Sequence, residues 1–142
     1  MGANRYQDLL AWQKAMELVE QIYAVTSKLP QEEMFGLKSQ MRRCAVSIPS
    51  NIAEGQGRST RGEFQQFLGH ARGSLYELET QILIAAKLHY LHPDEQERLR
   101  TEAQRLGRII NALIASLKSA RPVIDNRQLT TDNCLCQKTS DT

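Results

Sequence analysis

Several residues between positions 40 and 95 have side chains that could do chemistry. Ser47 and Ser50 are possible nucleophiles and His70 a possible base. Acyl transfer also needs a group to orient the base and an oxyanion hole, and neither is identifiable. In a helical hairpin centred near residue 57, His70 falls near the level of Cys44 and off the core. His89, His92, Asp94 and Glu95 are metal-ligand types, but they straddle a turn, and a metal site needs three or four converging ligands. Cys134 and Cys136 form a two-thiol pair with no further ligand nearby in sequence. Gly55 and Gly57 invite a phosphate-loop reading, but they follow a helical pattern rather than a strand, and no lysine-serine pair comes after them. Helix capping explains them better. The expectation is therefore a non-enzymatic protein with no metal and no cofactor.

Charge points in a more definite direction. The net charge is only +2, yet Lys38, Arg42, Arg43, Arg58, Arg61 and Arg72 lie between residues 38 and 72 against only Glu54 and Glu63. If the hairpin turns about residue 57, Arg42 lies level with Arg72 while Arg58 and Arg61 sit at the tip. Such a ladder spans about 20 Å at 1.5 Å per residue and suits backbone phosphates of RNA or DNA. The competing reading pairs these cations with Glu77, Glu79 or acids of another subunit. Ser47, Ser50, Asn51 and Glu54 form a polar stripe between apolar ones, which suggests a structural polar cluster with tertiary partners.

The elements that must position these residues are helices. Asp8 is a reasonable N-cap for a first helix to about Ser27, with Leu9, Trp12, Met16, Val19, Ile22, Tyr23 and Thr26 along one side. Leu29-Pro30 ends it. A second helix covers about residues 35–54 with a core stripe of Leu37, Met41, Ala45, Ile48 and Ile52, kinked rather than stopped at Pro49. Its additional stripe of Arg42, Val46, Pro49 and Ala53 exceeds what one buried face requires and suggests a subunit contact. Thr60 and Glu63 fit a capping box opening a third helix over about 61–88. Its core seam is Phe64, Phe67 or Leu68, Ala71, Leu75, Leu78, Ile82 and Ala85. Its other side carries Gly69, Gly73, Tyr76, Thr80, Leu83 and Ile84, where glycines suit a close approach of another helix. Pro93 opens a fourth helix to about Lys118, with Leu99, Ala103, Leu106, Ile110, Leu113 and Leu117 facing inward.

Short links between four such helices predict an all-α, antiparallel up-down-up-down four-helix bundle over residues 1–118, followed by a disordered tail over 119–142. With 142 residues, one domain is expected. No apolar run is long enough to span a membrane, and no basic-then-apolar leader is evident. The odd number of cysteines, two of them clustered near the end, is unlike a secreted disulfide framework. A cytoplasmic location is the expectation.

The run from Gln40 to Gly55, QMRRCAVSIPSNIAEG, resembles the signature of the 23S rRNA intervening-sequence proteins, also called four-helix-bundle proteins. The accessory variability determinant of diversity-generating retroelements is a relative. The blocks Leu10 to Leu18 and Gly73 to Thr80 match the same family, and the resemblance covers about residues 8–118. It implies a four-helix bundle that assembles with copies of itself into a pentamer. Subunit contacts are then expected at Val46, Pro49, Ala53, Gly69, Gly73 and Tyr76. The accessory relatives act as basic partners of a reverse transcriptase and nucleic acid, so those partners are implied here too. The alternative is a protein–protein scaffold with no nucleic-acid role.

Overall fold

In the computed structural model, which describes residues 5–119, the helical periodicity becomes four helices: α1 (Leu10–Thr26), α2 (Leu37–Gln56), α3 (Arg61–Lys87) and α4 (Pro93–Ser119). Short 3-10 turns at Tyr6–Asp8 and Gln31–Glu33 precede α1 and α2, and no strand occurs among the described residues. The fold is an all-α four-helix bundle. The tail, with Cys134 and Cys136, lies outside the described residues, apart from Ser119, which closes α4 one residue past the expected end.

Contacts between helices fix their directions. Position 55 on α2 meets Phe64 and Phe67 of α3. Near the other end of the same pair, Cys44 interacts with Glu77 and Gln81. On the next pair, Arg72 of α3 donates to Asn111 Oδ1 of α4 at 3.0 Å, and Leu75 reaches Gly107. As residue numbers rise on one helix they fall on its partner, so α2, α3 and α4 alternate in direction. Lys28, just after α1, pairs with Glu95 at the start of α4, which sets α1 antiparallel to α4.

The core is aliphatic and follows the expected seams closely on three helices. Met41, Ala45, Ile48 and Ile52 of α2 are buried, as are Leu68, Ala71, Leu75, Leu78, Ile82 and Ala85 of α3 and Leu99, Ala103, Leu106 and Ile110 of α4. The expected stripe on α1 is off by about one position. Ala11, Ala15, Leu18, Ile22 and Val25 are buried, while Met16 and Tyr23 are exposed. Small alanines occupy the contact line, and the large side chains move to its edges, where Trp12 stacks edge-on with Tyr6.

Three local expectations change. Asp8 ends the first 3-10 turn instead of capping α1, and Leu9 at the N-cap position provides no side-chain hydrogen bond. Helix α2 continues through Pro49 as expected, but it ends at Gln56, two residues past the expected end. Gly55 and Gly57 are not left-handed, since no glycine among the described residues has positive φ. Gly55 is instead a point of close approach between α2 and α3. The capping reading at Thr60 holds, with its side chain accepting from Glu63 N–H at 3.2 Å.

The left-handed residue is His89, at φ 64°. It stands where α3 ends in a Schellman arrangement: Tyr90 N–H reaches Ala85 O at 2.9 Å and His89 N–H reaches Ala86 O at 3.0 Å. A side chain in this conformation costs about 1 kcal/mol, which glycine avoids. His89→Gly is expected to raise stability by about 1 kcal/mol, checked by thermal melting, with His89→Val lowering it.

Candidate nucleic-acid interface

Lys38, Arg42 and Arg43 project from the first half of α2. They line an open groove of about 870 Å³ together with Tyr23, Met34, Ser39, Val46, Ser47 and Ser50. No carboxylate is among these lining residues, so the groove is cationic and rich in hydroxyls. Arg42 is also structural. Its Nε donates to Thr26 Oγ1 at 2.8 Å, its Nη2 to Tyr23 O at 3.2 Å, and its guanidinium lies 4.4 Å from the Tyr23 ring centroid. It thereby binds α2 to the end of α1, sharing the Tyr23 carbonyl with the Ser27 N–H. Lys38 is half-buried and Arg43 exposed.

The other three cations lie elsewhere. Arg58, at the hairpin tip, pairs with Glu54 at 2.8 Å and covers the Phe67 ring at 4.7 Å. Arg61 is exposed at the first position of α3. Arg72 bonds to Asn111 on the α4 side. The expected ladder is therefore not one surface. Its register also differs: paired positions sum to about 121, as in Cys44 with Glu77, rather than 114. That moves Arg42 about seven residues, or about 10 Å, from the level of Arg72. The packing of Gly55 against Phe64 and Phe67 sets this register, not the midpoint of the turn.

The residues expected at subunit contacts divide in the same way. Pro49 is buried within the chain's own bundle, and Arg42 on the same stripe is bonded to α1. Arg42 is thus accounted for by its bonds to α1, and Pro49 by burial within the bundle. Val46 remains exposed and Ala53 half-buried. On α3, Gly69 and Gly73 have nothing within 4 Å of an added Cβ, so no helix among the described residues approaches them. Tyr76, Leu83, Ile84 and Leu88 are exposed on the outer side of α3.

The four polar residues do not form a tertiary cluster. Ser47 donates to Cys44 O at 3.0 Å, Ser50 to Val46 O at 2.8 Å and Asn51 to Ser47 O at 2.8 Å, all within α2. Glu54 pairs with Arg58. Short polar side chains can bond back to the preceding turn of their own helix, so no outside partner is required.

Missing from the sequence reading were Tyr23 as a groove wall and the Met34-Phe35 pair in the link before α2. The available signal was an apolar pair at the expected start of the second helix, outside its core stripe.

Beside the groove, Gln40, Arg43, Cys44, Ser47 and Glu77 line a second recess of about 360 Å³. Burial, reinforced by a hydrogen bond and negative charge from Glu77, pushes the Cys44 thiol from 9.0 up to about 11. The neutral thiol is favoured in the fold. Its stabilising contribution is complete below about pH 9 and is lost as pH rises toward 11. With Cys134 and Cys136 changed to serine, Cys44 should alkylate at pH 8 about a hundredfold more slowly than an ordinary thiol, from its thiolate fraction alone. Iodoacetamide labelling followed by mass spectrometry checks this.

Against known families, residues 7–112 match the family described as 23S rRNA-intervening sequence protein. Among solved structures, the chain is similar to a protein of unknown function from the S23 ribosomal protein family of Bacteroides thetaiotaomicron. The two share 20% identity with a TM-score of 0.70, and the match covers 75% of this chain and 96% of that one. At that identity the likeness establishes the fold alone. No curated protein matches the chain.

Proposed function

Because the chain belongs to the 23S rRNA-intervening sequence protein family, we propose that it is a non-enzymatic, self-associating bundle that binds nucleic acid through the α2 groove. The observation that carries this reading is a groove lined by Lys38, Arg42 and Arg43 with no lining carboxylate. Phosphates would displace counterions there, and the Ser39 hydroxyl would add a hydrogen bond, since Ser47 and Ser50 already donate to the α2 backbone. Self-association, with a pentamer preferred, is supported by the outer side of α3, where Tyr76 is 52% and Leu88 50% exposed. A ring would repeat the groove and add weak contacts through multivalency. A reverse transcriptase is a candidate partner, and the cytoplasm the candidate compartment.

The test is a salt titration on mixed-sequence RNA and DNA. The Lys38→Ala/Arg43→Ala variant should reduce the slope of log K against log salt by about 0.7–0.9 for each phosphate that is no longer neutralised. Arg58→Ala/Arg61→Ala should change it less, because Arg58 is already paired with Glu54. Absence of binding at low salt would favour the protein–protein scaffold, a reading that the exposed apolar side of α3 also supports. Tyr76→Glu/Ile84→Glu is expected to reduce the assembly to smaller species by light scattering.

A further inference from the structure

We propose that the groove selects single-stranded nucleic acid, with Phe35 as the platform on which an unpaired base stacks. The inference rests on the nucleic-acid reading above and narrows its ligand.

Phe35 is 92% exposed, the most exposed large apolar side chain among the described residues. Aromatic side chains normally bury most of their surface, and here the open ring adjoins Met34, which is also exposed, so the two form an apolar patch. Phe35 lies in the turn before α2, between Met34 and Lys38, both of which line the groove. Phe35 does not itself line the groove, but it is one residue from Met34 and three from Lys38, which do. The Tyr23 ring is already covered by Arg42, and Phe67 by Arg58. Among the described residues Phe35 makes no ring or cation contact of this kind.

The neighbouring charge is mixed: Glu32 and Glu33 precede the ring, Lys38 follows it, and the donors that hold Glu33 are neutral. Glu33, two residues before Phe35, is occupied at both oxygens. Oε2 accepts Leu37 N–H at 2.9 Å and Oε1 accepts the Tyr90 hydroxyl at 3.4 Å. A cationic track ending at an open aromatic ring is the arrangement that holds single strands without reading their sequence. A duplex keeps its bases stacked inside, so it could use the cations but not the ring.

The experiment measures binding of full-length protein to labelled 12-mers by fluorescence anisotropy, comparing a mixed-sequence strand, oligo-dT and the corresponding duplex. Wild type should prefer the single strands. Phe35→Ala should weaken single-strand binding about 5- to 150-fold, the range for removing one stacked base. Duplex binding and the salt slope should stay unchanged, and Phe35→Trp should retain the preference. Far-UV circular dichroism confirms that each variant is folded. If Phe35→Ala binds single strands like wild type while Lys38→Ala/Arg43→Ala is impaired, stacking is refuted and the groove reading survives. If wild type binds neither strand nor duplex, both readings fall together. If Phe35→Ala alters the mass seen by light scattering and spares strand preference, Phe35 is a subunit contact and the proposal is overturned.

Discussion

Gly55→Val is expected to destabilise the bundle by about 3 kcal/mol, the upper end of the usual overpacking range. A Cβ at position 55 would lie 2.6 Å from Phe67 Cβ and 3.1 Å from Phe64 Cδ1. Phe67 Cβ is fixed to the backbone, so rotating the ring does not relieve the contact. Helices α2 and α3 would have to separate near the hairpin tip. Gly55→Ala carries the same first clash and should cost about 1–2 kcal/mol, despite the better helix propensity of alanine. The comparison lies on α3: Gly69→Ala and Gly73→Ala enter open space and should each gain up to about 1 kcal/mol. Denaturant unfolding at matched oligomeric state measures all four. Equal effects at the three glycines would show that Gly55 is not a steric contact.

Leu75→Ala is expected to be at least as damaging, at about 2–5 kcal/mol. Leu75 is fully buried in the middle of α3, and its Cδ2 would lie 3.6 Å from a Cβ added at Gly107 of α4. The substitution removes three carbons and leaves a void that two packed helices cannot fully close. Because Gly107 faces the same space, Leu75→Ala/Gly107→Val should recover part of the loss. In the wild-type background Gly107→Ala meets only ordinary van der Waals contact and should be neutral or stabilising. Thermal or urea unfolding of the double-mutant cycle gives the coupling energy. A coupling of zero would place residue 107 outside the void.

These two positions illustrate how far the sequence can be read. Leu75 belongs to a seam whose three- and four-residue steps are legible, because a helix places such residues on one face whatever it packs against. Gly55 was legible as a helix-ending glycine but not as a steric contact, since Phe64 and Phe67 arrive from another helix. Register failed for the same reason: the turn midpoint is a local property, whereas the crossing point is chosen by side-chain volume. On α1 the large residues suggested the wrong line because Ala11 and Ala15 let a neighbour approach closely. The groove was half legible. Lys38, Arg42 and Arg43 stand out by charge, but Tyr23 and Met34 join them only through the meeting of α1, the link and α2. Arg72 carried the same charge signal, yet it points toward α4.

The inward-looking hydrogen bonds of Ser47, Ser50 and Asn51 have an evolutionary consequence. Each ends on the α2 backbone, so replacing one leaves no distant donor or acceptor stranded. Changes at such sites usually stay within about 0.5 kcal/mol and add independently when they share no partner. Folding alone therefore places little constraint on these three positions. Buried Met41, Ala45, Ile48 and Ile52 on the opposite side of the same helix have no such freedom. Stability thus constrains the two faces of one helix unequally, and the presence of Ser47, Ser50 and Asn51 within the family-like run Gln40 to Gly55 points to a constraint on them other than folding.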